Sequence, residues 1–212
     1  MNNCDASPKE ERGRTRPGGR LALSLPAAVA ITVVVALPFG LWLGPWNIPL
    51  FPAFIVWTEY FVLGSSPQAL KTIAPAYTAG AVAGTSALIL SLLLNGWLDG
   101  ASLVTGGDVA WITGLFLAFI PLIWVMRFLP FTQGQGGLPY FNGITMGMAT
   151  YFVGGYEEYG GLSMPDHAQP LVPLITLLPA VFAGGLGMFL GWFNIAIMTP
   201  IGRGGSEGPV KP

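Results

Sequence analysis

Residues 72–97 read TIAPAYTAGAVAGTSALILSLLLNGW, with no Asp, Glu, Lys or Arg between Lys71 and Asp99. A hydrocarbon layer of about 30 Å is crossed by about 20 helical residues, so this run is long enough to span one. Working outward from it, runs of the same character recur at Leu21–Leu43, Ile48–Leu63, Val109–Phe131, Leu138–Val153 and Leu171–Thr199. The sequence therefore predicts an all-α, polytopic membrane protein with six transmembrane helices. Composition agrees: 52% of the 212 residues are hydrophobic and 9% charged, against about a quarter charged in soluble domains. Too few charges exist to clothe a soluble core, so the expected partner of the outer surface is the lipid bilayer.

Charge sign tests this parse independently, because hydropathy does not use it. All nine basic residues fall on one side: Lys9, Arg12, Arg14, Arg16 and Arg20 before the first span, Lys71 after the second, Arg127 at the end of the fourth, Arg203 and Lys211 after the sixth. The other side holds Asp99, Asp108, Glu157, Glu158 and Asp166. Basic residues mark the cytoplasmic face, so both ends are expected there. Residues 1–20 and 201–212 read as polar cytoplasmic tails flanking a transmembrane domain at 21–200. A cleaved leader is the rival reading of the N-terminus. Its apolar stretch, about 23 residues, exceeds the 7–15 usual for leaders, and Gly44-Pro45-Trp46 is a poor cleavage site. Cys4 is the one cysteine, so no disulfide is expected. Net charge is −1, which gives no footprint for nucleic acid.

The halves 21–97 and 109–200 resemble each other. Tyr60-Phe61-Val62-Leu63-Gly64 ends the second span and Tyr151-Phe152-Val153-Gly154-Gly155 the fifth. Pro75-Ala76-Tyr77-Thr78-Ala79-Gly80 opens the third, and Pro179-Ala180-Val181-Phe182-Ala183-Gly184 lies in the sixth. Three spans per half is an odd number, so the halves would run in opposite senses, an inverted repeat of the kind many transporters and channels use. Spans two and five are both short, and short runs at matching places in two halves point to a transport path.

The stretch Phe54-Ile55-Val56-Trp57-x-x-Tyr60-Phe61, with Gly64 and Ala69-Leu70-Lys71, resembles small bacterial inner-membrane proteins catalogued as domain of unknown function 1097. Pro139-x-x-Asn142-Gly143-x-x-x-Gly147-x-Ala149-Thr150-Tyr151-Phe152 and Leu177-Leu178-Pro179-Ala180 through Gly191 are similar to its second half. The resemblance covers residues 25–195, departing in a longer basic tail and an expanded 156–169 loop. It implies a six-helix fold in a bacterial inner membrane and carries no substrate or catalytic residue.

Glu59 is the one acidic residue inside an expected span, and an ionisable group at that depth is a functional candidate. It could bind a cation, relay protons or hydrogen-bond a solute. Alternatively it makes a structural ion pair with Arg127, or with Lys71. Trp57 and Tyr60 beside it, and Asn142, Thr145 and Thr150 on span five, are the side chains expected to line a path for a small solute. Each could equally serve packing. Gly80 and Gly84, Gly143 and Gly147, and Gly187 and Gly191 are spaced for close helix approach, and homo-oligomer contact through such grooves stays open. Gly80/Gly84 and Gly187/Gly191 suggest that spans three and six cross each other. His167 with Asp166, Glu157 and Glu158 lacks tight ligand spacing, so no metal is expected. No catalytic constellation or cofactor motif is present, and Gly134-Gln135-Gly136-Gly137 lacks a strand before it. The expected function is a small-solute channel or facilitator rather than an enzyme. The alternative is a non-transporting subunit of a membrane complex.

Overall fold

The computed structural model describes residues 23–199. The two tails, Cys4, the basic residues of the tails and the first residues of the first expected span lie outside them. Among the described residues there is no strand, and six α-helices follow in order. They are α1 (Leu25–Leu41), α2 (Leu50–Val62), α3 (Pro67–Trp97), α4 (Asp108–Val125), α5 (Gly137–Val153) and α6 (Pro173–Met198). Short 3-10 turns fill most of the connections, including one that extends α4 to Phe128.

Local chemistry sets these boundaries. Gly64 (φ 88°) and Ser65 (φ 53°) turn left-handed after α2, and the Ser66 hydroxyl then caps α3 by accepting from the Ala69 N–H at 3.4 Å. The α3–α4 connection closes on Asp108. Its carboxylate accepts from the backbone N–H groups of Leu103, Val104 and Thr105 at 2.7, 2.7 and 2.9 Å. Helices α1, α3, α4 and α6 each carry an interior proline, at Pro38, Pro75, Pro121 and Pro179, which removes one helical hydrogen bond from each.

Three helical stretches are long and apolar enough to cross a membrane: Pro67–Trp97, Asp108–Phe128 and Asp166–Met198. Leu25–Leu41 and Leu50–Val62 are apolar but shorter. Spans two and five, both expected at about 16 residues from their apolar runs, are helical over 13 and 17 residues. Val34, Leu41, Ile112, Phe116, Ile120 and Trp124 are each more than half exposed. Apolar surface this continuous is a cost in water and none in hydrocarbon, which together with the long apolar helices points to a membrane protein.

Helices α3 and α6 form the centre, each buried at a dozen positions along its length. Helix α3 packs on α5 and α4, and α6 packs on α2 and α1. The outer helices bury one narrow stripe each, Ala28, Thr32 and Ala36 on α1 and Ala110, Gly114 and Ala118 on α4. Residues four apart share a helix face, so small side chains at that spacing make a flat strip for the neighbour.

The glycines named from the sequence all sit at such contacts, with different partners from those expected. A Cβ at Gly80 or Gly84 would strike the carbonyls of Tyr140 or Ile144, and one at Gly143 or Gly147 those of Tyr77 or Ala81. This is a crossing of α3 with α5. Gly187 faces the Ala53 carbonyl and Val56, and Gly191 faces the Tyr60 ring, so those two pack α6 on α2. Helices α3 and α6 do approach each other, as expected, with the Tyr77 ring against Gly184, but these two glycine pairs serve two other crossings. Because all six glycines are filled from within the chain, their grooves are not free for a second copy.

Candidate functional site

Helix α2 is buried at Pro52, Ala53, Val56, Trp57, Glu59 and Tyr60, positions that face more than one side. The α6 glycines take Ala53, Val56 and Tyr60. Glu59 is left to face α5, where Asn142 stands in the second turn. The Asn142 amide Nδ2 donates to Glu59 Oε1 at 2.5 Å. Glu59 is 2% exposed, and its second oxygen, Oε2, is buried with no hydrogen-bond partner among the described residues. Beside it, Val56, Tyr60 and Tyr77 form an apolar cluster with Met146 of α5 against it.

The expected ion pair with Arg127 is not made. The Arg127 guanidinium lies over the Trp124 ring at 4.3 Å and near Phe128 at 5.2 Å, a cation–π arrangement at the end of α4. Lys71 is exposed. What the arrangement offers is one carboxyl oxygen already bonded and one still able to accept, inside packed apolar surroundings. A hydrogen-bond acceptor left unmatched in such a place costs about 1–3 kcal/mol, so a donor that reaches it is held well.

The other side chains expected along a path divide. Trp57 and Tyr60, three residues apart, enter different clusters. Trp57 packs with Ala36, Ala183, Leu186 and Leu190, while Tyr60 joins Ile73 and Tyr77. Trp57 Nε1 is buried without a partner among the described residues. Thr145 is exposed and Thr150 fully buried, and each donates to its own helix, to Phe141 O at 3.0 Å and Met146 O at 2.8 Å. Of the named set, only Glu59 and Asn142 are joined to each other.

A second polar contact was not legible from spacing. Asn194 on α6 donates to the Thr32 hydroxyl on α1 at 2.9 Å, and Thr32 donates to Ala28 O at 2.8 Å. Both residues are fully buried, and Asn194 Oδ1 has no partner among the described residues. The signal was a lone amide in an otherwise apolar run. Tyr77 also ties α3 to α6, its hydroxyl donating to Ala180 O at 3.1 Å.

At the far end of the bundle, the expanded 156–169 loop docks on the turn before α2. The Trp46 and Tyr159 rings meet edge to face at 5.4 Å, and the Tyr159 hydroxyl donates to Trp46 O at 3.3 Å. Burial holds the Tyr159 phenol above its usual range, with Tyr156 adding to the effect; burial raises Tyr156 as well. Among the described residues no group of three or more His, Cys, Asp and Glu is placed to hold a metal ion, His167 and its acidic neighbours included. No family model, curated protein or solved structure matches the chain.

Proposed function

We propose that the chain is a small-solute facilitator of a bacterial inner membrane, with six spans, both ends cytoplasmic, and a path running between α2 and α5. The observation that carries it is the Glu59–Asn142 contact: a buried carboxyl bridging α2 and α5, with one oxygen unmatched among the described residues. Ionisable groups are retained at such depth where they meet something that passes. The acceptor suits a small neutral or weakly polar solute with an N–H or O–H donor, such as water, urea or a small amide.

The inverted repeat belongs to the same reading. Exchanging α1, α2 and α3 for α4, α5 and α6 turns the α3–α5 crossing into the α6–α2 crossing, and α3–α4 into α6–α1. Pro38 and Pro121 fall at the same register from the starts of α1 and α4. Gly114 of α4 sits against Ser91 of α3, within a residue of where Thr32 of α1 meets Asn194 of α6. The likeness to domain of unknown function 1097 is consistent with this architecture and names no solute.

One observation favours the non-transporting alternative, a scaffold subunit of a membrane complex. Most polar side chains of α2 and α5 are closed on their own helix or packed in the core. Flux separates the two. Purified protein in liposomes, followed by stopped-flow light scattering, should speed entry of at least one of water, urea, glycerol or acetamide over empty vesicles. Asn142→Leu and Glu59→Gln should each change that rate. Folded protein with no excess flux for any of them would sink the facilitator and favour the scaffold.

A further inference from the structure

Beyond the α2–α5 contact, a recess of about 350 Å³ opens at the other end of α5, between α3, α5 and the start of α6. Its walls include Leu92 and Asn95 of α3, Tyr151 of α5, Glu157 and Gln169 of the expanded loop, and Val172. Tyr151 follows Asn142 by nine residues, about 13 Å along the helix axis, so this recess is separate from the Glu59 site.

The one charged group in these walls is acidic. Glu157 contributes a carboxylate. Gln169 gives one amide N–H to Met164 O at 3.3 Å, and its amide oxygen can accept. Asn95 brings a side-chain amide whose oxygen is turned to Gly107 of the α3–α4 connection, and Tyr151 a hydroxyl. No Lys, Arg or His lines the walls. The surrounding loops add Asp99, Asp108 and Asp166, with His167 beside Asp166 and no Lys or Arg, so the field over the mouth is negative. Leu92 and Val172 give an apolar floor. A bare metal ion fits poorly, since one carboxylate is present and no ligand cluster forms among the described residues. An anion would meet Glu157.

We propose that this recess binds a small organic cation with several N–H donors, a primary ammonium or guanidinium on a short apolar body. The head group satisfies Glu157 and the Gln169 oxygen, and the body lies on Leu92 and Val172. A volume of this size lies at the lower end for small-molecule sites, which suits a small ligand better than a drug-sized one.

The test is ligand-observed NMR on the full chain in lipid nanodiscs, with butylammonium and guanidinium as probes and butanol as the neutral comparison. Saturable binding of butylammonium and none of butanol is expected. Glu157→Gln should weaken it about tenfold, the effect of removing one charge-assisted hydrogen bond. Gln169→Leu should weaken it several-fold, and Glu158→Gln, whose side chain lines a different recess beside Asn47 and Tyr156, should leave it unchanged. Equal binding of butanol, no saturation by either cation, or unchanged binding in both Glu157→Gln and Gln169→Leu with helical content intact would overturn the proposal. Binding without flux in the liposome assay sinks only the facilitator. Flux without binding sinks only this site.

Discussion

Asn142 on α5 donates its side-chain hydrogen bond to Glu59 on α2 at 2.5 Å, joining the two helices at a point where the carboxyl is 2% exposed. Replacing Asn142 with Leu leaves both carboxyl oxygens without a donor. That should cost about 1–3 kcal/mol and lower the thermal midpoint in detergent. The double variant Glu59→Leu/Asn142→Leu should regain most of the loss, because removing both partners of a buried bond is nearly neutral. Strictly additive losses in the two single variants would mean that the pair contributes no coupling.

The α3–α5 crossing depends on the absence of side chains at Gly80 and Gly143, which face each other's backbone. Gly80→Val or Gly143→Val must push the helices apart, a change of about 1–3 kcal/mol or more. Gly96 and Gly185 lie in α3 and α6 with open space around them. Alanine at either should be neutral or stabilise, by up to about 1 kcal/mol of helix propensity. Thermal unfolding of the four variants side by side checks this, and equal effects at all four would contradict the crossing.

Thr32 and Asn194 hold α1 to α6 through one bond between fully buried groups. Thr32→Val is nearly isosteric but leaves the Asn194 amide unmatched, and should destabilise by about 1–3 kcal/mol. Adding Asn194→Leu should restore stability. Failure of that second change to rescue the first would show that packing volume, rather than polarity, governs the contact.

The loop lock at Trp46 and Tyr159 is sensitive to alkaline pH. Burial raises the Tyr159 phenol in the folded loop, so the folded form holds its proton where the undocked form has released it. The docked loop is therefore fully stabilised below the usual tyrosine range of about 10 and loses that stability as pH rises through the raised value. Protease cleavage at 156–169 should accelerate above that range. Tyr159→Phe loses the bond to Trp46 O and should be cleaved somewhat faster at neutral pH, with a smaller alkaline rise; an unchanged rise would assign it to another group.

Membrane orientation is open to single-cysteine labelling in a Cys4→Ser background. Cysteine at Ser102 or Ser163, both exposed in loops, should react with an impermeant maleimide from outside. Cysteine at Gln135, also exposed, should react only after permeabilisation. Ser102 and Gln135 reacting from the same side would rule out six spans.

The apolar runs, the prolines and the small-residue spacings are legible in one dimension because each depends on near neighbours in the chain. Hydropathy over about 20 residues marks a stretch suited to lipid, and glycines four apart mark a helix face that another helix can approach closely. Glu59 stood out for the same reason, as one acid in an apolar run. Which helix meets which face is a different kind of fact. It depends on how far each helix is rotated and where it crosses its neighbours, and many distant side chains decide that together. The Gly80 pair faces α5 and the Gly187 pair faces α2, although spacing alone suits any of several partners. Glu59 takes its bond from Asn142 because α2 presents that face to α5, while Arg127 is drawn to the rings of Trp124 and Phe128 on its own element. Charge complementarity on paper allowed an ion pair; the rotation of α2, set by the α6 glycines against Ala53, Val56 and Tyr60, brought the amide to the carboxyl instead.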